Sequence, residues 1–272
     1  MSDQTAVAAR FLELHRPGAP LLMPNAWDAG SARVLASLGF EAIATTSSGH
    51  AATFGRLDYA VTRQEALEHA VALVEAVQVP VSADLENGFA DEPEGVARTV
   101  EFAIGAGLAG CSVEDYTGRS SDPIYEHALA VERVAAAASA AHAGPVHLVL
   151  TARAENHLRG IDDLGDTIAR LTAFADAGAD VVYAPGLRSA TDIRAVVEAV
   201  GAPVNVLAGR GVPEVAELAE LGVARISVGG SFAFVALGAL VEAATELRDQ
   251  GTYGYSGLLS LGAGAAREAF GH

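Results

Sequence analysis

Residues 81–91 read VSADLENGFAD: an apolar strand runs straight into Asp84, Glu86 and then Asn87-Gly88. Side chains at i and i+2 of a strand point to one face, so both carboxylates could serve one ion. A second pair of acids, Glu114 and Asp115, ends the phrase AGLAGCSVEDY (106–116). Acids gathered at the tips of adjacent strands repel one another unless a cation sits among them. Oxygen ligands with no Cys or His nearby in sequence suit Mg2+ or Mn2+ rather than Zn2+. Arg153, at the end of LVLTAR, carries a planar fork that can hold a carboxylate bidentately. The hydroxyls and turn amides of TTSSG (45–49) can hold another. Any one of these polar tips is equally well read as a strand meeting solvent. Jointly they describe a site for a small acid chelated to a metal.

Composition narrows the chemistry. The chain has no lysine; all 17 of its basic residues are arginine. Schiff-base chemistry, covalent pyridoxal-phosphate chemistry and a P-loop lysine are therefore excluded. A formal net charge of −17 argues against nucleic acid and against an anionic membrane surface. A substrate anion would need a local arginine or a metal ion to overcome that field. The one cysteine, Cys111, forbids an internal disulfide and suits a reducing cytoplasm. No segment has the apolar length of a membrane span, and MSDQTAVAAR does not read as a secretory signal.

Eight strands must position these groups. LGFEAIATTSS (38–48), AGLAGCSVEDY (106–116), AGADVVYAPG (177–186) and LGVARISVGGS (221–231) share one form. In each, a Gly that suits a helix C-terminal stop precedes an apolar strand and a functional-looking tip. Between them, VQVPVSAD (77–84), AGPVHLVLTAR (143–153) and GAPVNVLAG (201–209) place a Pro at a strand start, where its missing N–H is harmless. With LLMPN (21–25), strands begin near residues 21, 41, 79, 110, 147, 180, 203 and 224. Helical patterns such as EALEHAVALVEAV (65–77) separate them. Strict alternation means a parallel sheet covered on both faces, and eight units in 272 residues mean a (β/α)8 TIM-type barrel. The chain reads as one barrel domain over 1–272, with a C-terminal helical extension from about residue 232. The segment SGLLSLGAGAAREAF (256–270) is expected to pack beyond the barrel or on a neighbouring subunit.

In such a barrel the active site lies at the C-terminal ends of the strands. Read that way, the candidate residues are Asn25, Trp27, Thr45 to His50, Asp84, Glu86, Glu114, Asp115, Arg153, Glu155, Asn156, Tyr183, Asn205 and Gly229 to Ser231. Trp27 either walls the pocket or packs, and Asp28 is expected to cap the next helix. Glu155 is expected to orient Arg153. His50 and His157 lie near tips, as acid–base or supporting groups, and His69 and His142 are expected on helix surfaces.

Several phrases in order carry a resemblance. PNAWDAGSARVLASLGFEAIATTSSGHAATFGRLD, SADLENGFAD, GCSVEDY, LTARAEN and PVNVL look like the isocitrate lyase/phosphoenolpyruvate mutase superfamily, over residues 20 to 240. The resemblance implies a barrel whose last helix is exchanged with a partner, in dimers or in tetramers built from dimers. It implies Mg2+ held directly by Asp84, with Asp58, Glu86 and Glu114 acting largely through water. It places Ser47, Ser48 and Gly49 on the loop that binds the 2-oxo carboxylate, Arg153 on the substrate's oxygens and Asn205 on a substrate carboxylate. Members cleave or form C–C or P–C bonds next to a 2-oxo acid.

The chain departs from that pattern after VED. Lyases of the family carry a KxCGH loop whose Cys serves as acid, and here the loop reads YTGRSSDPIYEHA (116–128), without Cys or Lys. Cys111 lies inside a strand and is expected to pack as a small hydrophobe. Methylisocitrate lyase-like cleavage is therefore less well supported, and the mutase loop, with its own Lys and Asn, is absent too. Retro-aldol cleavage needs a base, whereas loss of CO2 from an oxo acid does not. The expectation is a Mg2+-dependent lyase acting on a small 2-oxo acid, breaking the bond at C3 through a metal-stabilised enolate, as an oxaloacetate decarboxylase or related C–C lyase. Phosphonopyruvate hydrolase or mutase-type P–C chemistry is the alternative. Tyr116, Thr117, Arg119, Ser120 and Ser121 either supply the missing acid or form a plain solvated turn. A phosphosugar enzyme using AGRG (208–211) and VGGS (228–231) leaves the acids unexplained. A barrel that binds an oxo acid without turning it over is the non-enzymatic rival.

Overall fold

The computed structural model describes residues 4–271. Among the described residues, nine parallel strands form one nearly closed barrel: β1 (Leu21–Met23), β2 (Asn25–Ala26), β3 (Ile43–Thr45), β4 (Val81–Asp84), β5 (Gly110–Glu114), β6 (Val149–Arg153), β7 (Val181–Tyr183), β8 (Val204–Leu207) and β9 (Arg225–Ser227). The ninth strand comes from splitting the first. β1 pairs with β9 and β2 with β3, so the stretch read as one strand at 21–25 touches both of its neighbours in turn. Pro24 lies at the break, with no N–H to donate, and its carbonyl accepts from Ala44 at 2.9 Å. This is a (β/α)8 TIM-type barrel with an interrupted first strand.

Helices wrap the sheet: α1 (Gln4–Glu13), α2 (Ala29–Ser37), α3 (Ser47–Thr53), α4 (Arg63–Ala76), α5 (Pro93–Gly105), α6 (His127–His142), α7 (Leu164–Asp176), α8 (Ala190–Ala199), α9 (Val215–Glu220), α10 (Ser231–Gln250) and α11 (Ser256–Phe270). The repeated glycines do what their spacing predicts. Gly39, Gly107, Gly178 and Gly222 follow α2, α5, α7 and α9 with φ of 90°, 84°, 105° and 87°. A side chain is disfavoured there, and each helix stops. Asp28 caps α2 through Ser31 N at 2.6 Å. Pro80 and Pro203 stand directly before β4 and β8, as expected, but Pro145 lies four residues before β6.

α1 closes the N-terminal end of the barrel. Its Phe11 and Ala8 are fully buried against Leu21, Met23, Ala109, Val149 and Val181. Gly110 makes that approach possible: a Cβ there would stand 2.6 Å from the Phe11 ring. Above this plug a buried arginine spans the interior. Arg225 donates to Asn205 Oδ1 at 2.9 Å and Thr151 Oγ1 at 3.0 Å, and faces His15 Nε2 at 3.1 Å. At the other end of the chain, α11 lies against α2, with the Phe270 ring beside Gly30. Among the described residues no helix is long and apolar enough to cross a membrane.

Candidate active site

A cavity of about 160 Å³ opens among the C-terminal ends of the strands. That is small beside cofactor-sized pockets and suits a compact ligand. β4 delivers Asp84 to its wall, with its backbone N–H held by Thr45 Oγ1 at 2.8 Å. Glu86 is not on the same strand, because β4 ends at Asp84. It stands in a turn with φ of 50°, a conformation a non-glycine residue rarely adopts. The turn, rather than strand alternation, brings its carboxyl beside Asp84. Asp84 Oδ1 accepts the Glu86 N–H at 3.3 Å. A buried cation holds the following loop: Arg133 donates to the carbonyls of Asn87, Ala90 and Asp91.

Asp58 lines the cavity from the loop after α3. Burial raises its pKa, and the neighbouring Asp84 raises it further. Burial likewise pushes Glu86 up to about 8, with Asp84 and Asp58 adding to the shift. Neither Asp58 nor Glu86 forms an ion pair among the described residues. Glu114, at the end of β5, is also buried. Burial lifts its carboxyl well above the ordinary range, and Arg153 only partly offsets this.

Arg153 sits among three carboxylates. Nη1 is 3.1 Å from Asp84, and Nη2 is 3.0 Å from Glu114 and 2.7 Å from Glu155. Nε donates to Glu155 at 2.8 Å, so Glu155 does orient this side chain. Burial would lower the guanidinium's pKa, but Glu114, Glu155 and Asp84 together hold it well above its usual value. Of its five N–H groups, those on Nε and Nη1 make hydrogen bonds to Glu155 and Asp84, and Nη2 stands between Glu114 and Glu155. The fork expected to hold a ligand carboxylate faces three protein acids in this arrangement, while Arg153 also lines the cavity.

TTSSG is the start of a helix rather than a loop. Thr46 caps α3 through Gly49 N. Ser47 donates to Asp84 from its hydroxyl at 3.0 Å, and Ser47 and Ser48 line the cavity. Gly49 is buried and lies outside the cavity lining, packed close to Trp27 Cβ. Trp27 does not reach the cavity either. Asn205 lines the floor, but both ends of its amide are engaged by Arg225 and Ser227.

Two lining residues had no sequence signal. Tyr59 and Arg159 face the cavity. The Tyr59 hydroxyl donates to Glu114 and accepts from Arg159 Nη2 at 2.6 Å. The Arg159 guanidinium lies 3.4 Å over the Tyr116 ring. Burial and the adjacent Glu114 raise the Tyr59 pKa far above that of free tyrosine, so its hydroxyl stays protonated. Tyr59 follows Asp58 in sequence, and Arg159 ends a 3-10 turn (Asn156–Arg159), four residues after Glu155. Only their spatial convergence marks them.

Other candidates fall elsewhere. Asp115 is buried behind the site, accepting from Glu155 N at 2.8 Å and paired with Arg170 at 3.2 Å; burial pushes its pKa to about 7. His69 is not a surface residue: it is buried and stacked on His50 at 3.7 Å, and burial lowers its pKa to about 4. His157 bonds Asp162 at 2.9 Å, and His142 is half-buried against Asp180. In the loop after β5, Tyr116 and Thr117 are buried and Arg119 pairs with Asp91 at 3.3 Å; none of these lines the cavity. Cys111 is fully buried, which pushes its thiol up to about 12.

The phosphoenolpyruvate phosphomutase family matches residues 11–248 of the chain. A crystal structure of a Burkholderia cenocepacia protein described as a lyase/mutase superposes with a TM-score of 0.90 at 54% identity, covering 93% of this chain and 91% of that one. An uncharacterised protein of Mycobacterium tuberculosis is 34% identical over 88% of this chain and 89% of its own. The oxaloacetate decarboxylase of Pseudomonas fluorescens is 32% identical over 78% and 74%. Further relatives are 2-methylisocitrate lyase and 2,3-dimethylmalate lyase, at 30% and 28% identity. The chain belongs to the isocitrate lyase/phosphoenolpyruvate mutase superfamily, among relatives that are named as carbon–carbon lyases.

Proposed function

We propose that this protein is a divalent-cation-dependent lyase for a small 2-oxo acid, acting at C3 in the manner of an oxaloacetate decarboxylase. The observation that carries the reading is a crowd of acids at one small cavity: Asp58 and Asp84 line it, Glu86 lies outside the lining but near enough for both to raise its pKa, and neither Asp58 nor Glu86 has an ion-pair partner among the described residues. Such mutual repulsion is relieved by a cation, and an oxygen-only donor set fits Mg2+ or Mn2+. Asp84 would hold the ion directly, with Asp58, Glu86 and Glu114 around it. When bound, the ion supplies Lewis-acid polarisation of the 2-oxo group and stabilises developing negative charge.

The chain's own groups would do the rest. Ser47, Ser48 and Arg153, which line the cavity, would face the substrate's carboxylate end. Arg159 at the mouth offers a cation to the distal carboxylate. Loss of CO2 needs no base, which fits a loop after β5 that carries neither Cys nor Lys. The carbon left behind needs a proton, and the Tyr59 hydroxyl is held protonated at the cavity wall. The sequence similarity to an oxaloacetate decarboxylase supports the same reading.

We further read the whole chain as one barrel domain with a helical extension from about residue 232, in a cytoplasmic homo-oligomer. Phe234, Val235, Leu240 and Val241 of α10 are 50% to 68% exposed, which supports α10 as the element exchanged between subunits. The deciding experiment is turnover of oxaloacetate, phosphonopyruvate and methylisocitrate by purified protein, with Mg2+ and with EDTA. Asp84→Asn is the control for decarboxylation by free metal. EDTA-sensitive pyruvate release from oxaloacetate that the variant loses is the expected result. Turnover of only one of the other two would overturn the decarboxylase reading.

A further inference from the structure

The barrel mouth uses the C-terminal ends of the strands, and a separate cluster stands at the opposite end. α6 ends at His142, the chain turns, and His147 comes just before β6; Asp180 comes just before β7. The two oxygens of Asp180 face the two rings. His147 Nε2 lies 2.7 Å from Oδ1, and His142 Nε2 lies 3.1 Å from Oδ2. The imidazoles are stacked, with centroids 4.0 Å apart and planes 12° from parallel. Oδ2 also accepts the Leu150 N–H at 2.8 Å, which fixes the orientation of the carboxylate. All three donor atoms lie within 4.8 Å of one another, and each residue is partly open to solvent.

With its proton on Nε2, each histidine donates to Asp180. With the proton on Nδ1, each Nε2 offers an in-plane lone pair instead, and turning the two rings out of their stack brings both lone pairs and the carboxylate onto one cation. In a tetrahedral site with metal–ligand distances of roughly 2.0–2.1 Å, neighbouring donors stand about 3.3 Å apart. The three ligand atoms already lie within 4.8 Å of one another, so opening the ring stack is the rearrangement that such a site requires. We propose that His142, His147 and Asp180 bind a transition-metal cation of the Zn2+ class, with water completing the shell. Two imidazoles and one carboxylate select such an ion over Mg2+, whereas the mouth offers only oxygen. The site ties the end of α6 to the starts of β6 and β7 and shares no residue with the mouth, so its role is structural.

The test is calorimetric titration of Zn2+ into EDTA-stripped, full-length protein with Mg2+ in excess. One equivalent should bind, raise Tm and persist in Asp84→Asn. Affinity should fall by about 100-fold or more in His147→Gln and His142→Gln, with folding checked by circular dichroism. Co2+ should give visible bands of a nitrogen-ligated ion that disappear in the same variants. On wild-type protein, Zn2+ should also protect both histidines from diethyl pyrocarbonate, read by peptide mass spectrometry, which serves even where a variant misfolds. Zn2+ binding unchanged in folded His147→Gln, or lost with Asp84→Asn, would overturn the site. So would wild-type protein that binds no Zn2+ and shows no protection.

Discussion

Arg153 at the tip of β6 reaches past the adjoining strand β5 to Asp84 on β4, closing to 3.1 Å. One guanidinium therefore ties together three strands of the site, since Glu114 of β5 lies 3.0 Å from its other end. The pair fixes the position of the acid that faces the cavity.

Arg153→Lys should leave Asp84, Glu114 and Glu155 sharing a point charge in place of a fork. Losing about two charge-assisted contacts, each worth roughly 1.5–3 kcal/mol, should lower kcat/KM by two or more orders of magnitude. Steady-state kinetics on folded variant protein checks this. Near-normal kcat/KM would mean that charge alone is enough.

Tyr59→Phe removes the hydroxyl shared by Glu114 and Arg159 while keeping the ring. If that hydroxyl returns the proton, kcat should fall on the order of 100-fold with KM little changed. A rise in KM at constant kcat would instead assign Tyr59 to positioning Arg159.

Arg133→Met keeps the volume of a fully buried side chain but strips donors from the carbonyls of Asn87, Ala90 and Asp91. Unmet carbonyls should cost about 3 kcal/mol or more in urea unfolding. The turn that carries Glu86 should loosen with them, so Mg2+ affinity measured by calorimetry should drop. Stability lost with Mg2+ affinity intact would separate the loop from the site.

Cys111→Ser should leave kcat unchanged, because the thiol is fully buried in the strand and held protonated. Its hydroxyl should instead destabilise the fold by about 1–3 kcal/mol. A collapse of kcat in folded protein would reinstate the thiol as a catalytic group.

His15 contributes a pH dependence to stability. Its Nδ1–H donates to Phe11 O at 2.9 Å and Nε2 accepts from Arg225, so the neutral ring is required. Burial first, then Arg225, lowers its pKa to about 3 from 6.5. The unfolded chain therefore takes up the proton first as pH falls. This stabilisation is complete above pH 6.5 and drains away toward pH 3. By pH 5 roughly 2 kcal/mol of it should be gone. The stability difference between wild type and His15→Gln should shrink by that amount from pH 7 to 5 in urea titrations. Parallel pH curves would show that His15 does not carry the effect.

The sequence by itself determined the features that rest on short-range pattern. Alternating strands and helices, the glycine stops at Gly39, Gly107, Gly178 and Gly222, the Asp28 cap and the Glu155–Arg153 contact are all encoded within a few residues. The acidic tips were legible for the same reason, because a buried strand that ends in carboxylates is a local anomaly. Tertiary structure alone decided what depends on distant segments meeting. Strand pairing on both sides of Pro24 splits β1 from β2, and Glu86 leaves the strand for a left-handed turn. Tyr59 meets Glu114 across 55 residues and Arg159 across 100. The fork of Arg153 is spent on protein acids, His69 is buried, and His142 and His147 converge on Asp180. None of these leaves a periodic trace in the chain, because side-chain direction and burial are set by the partners that folding brings alongside.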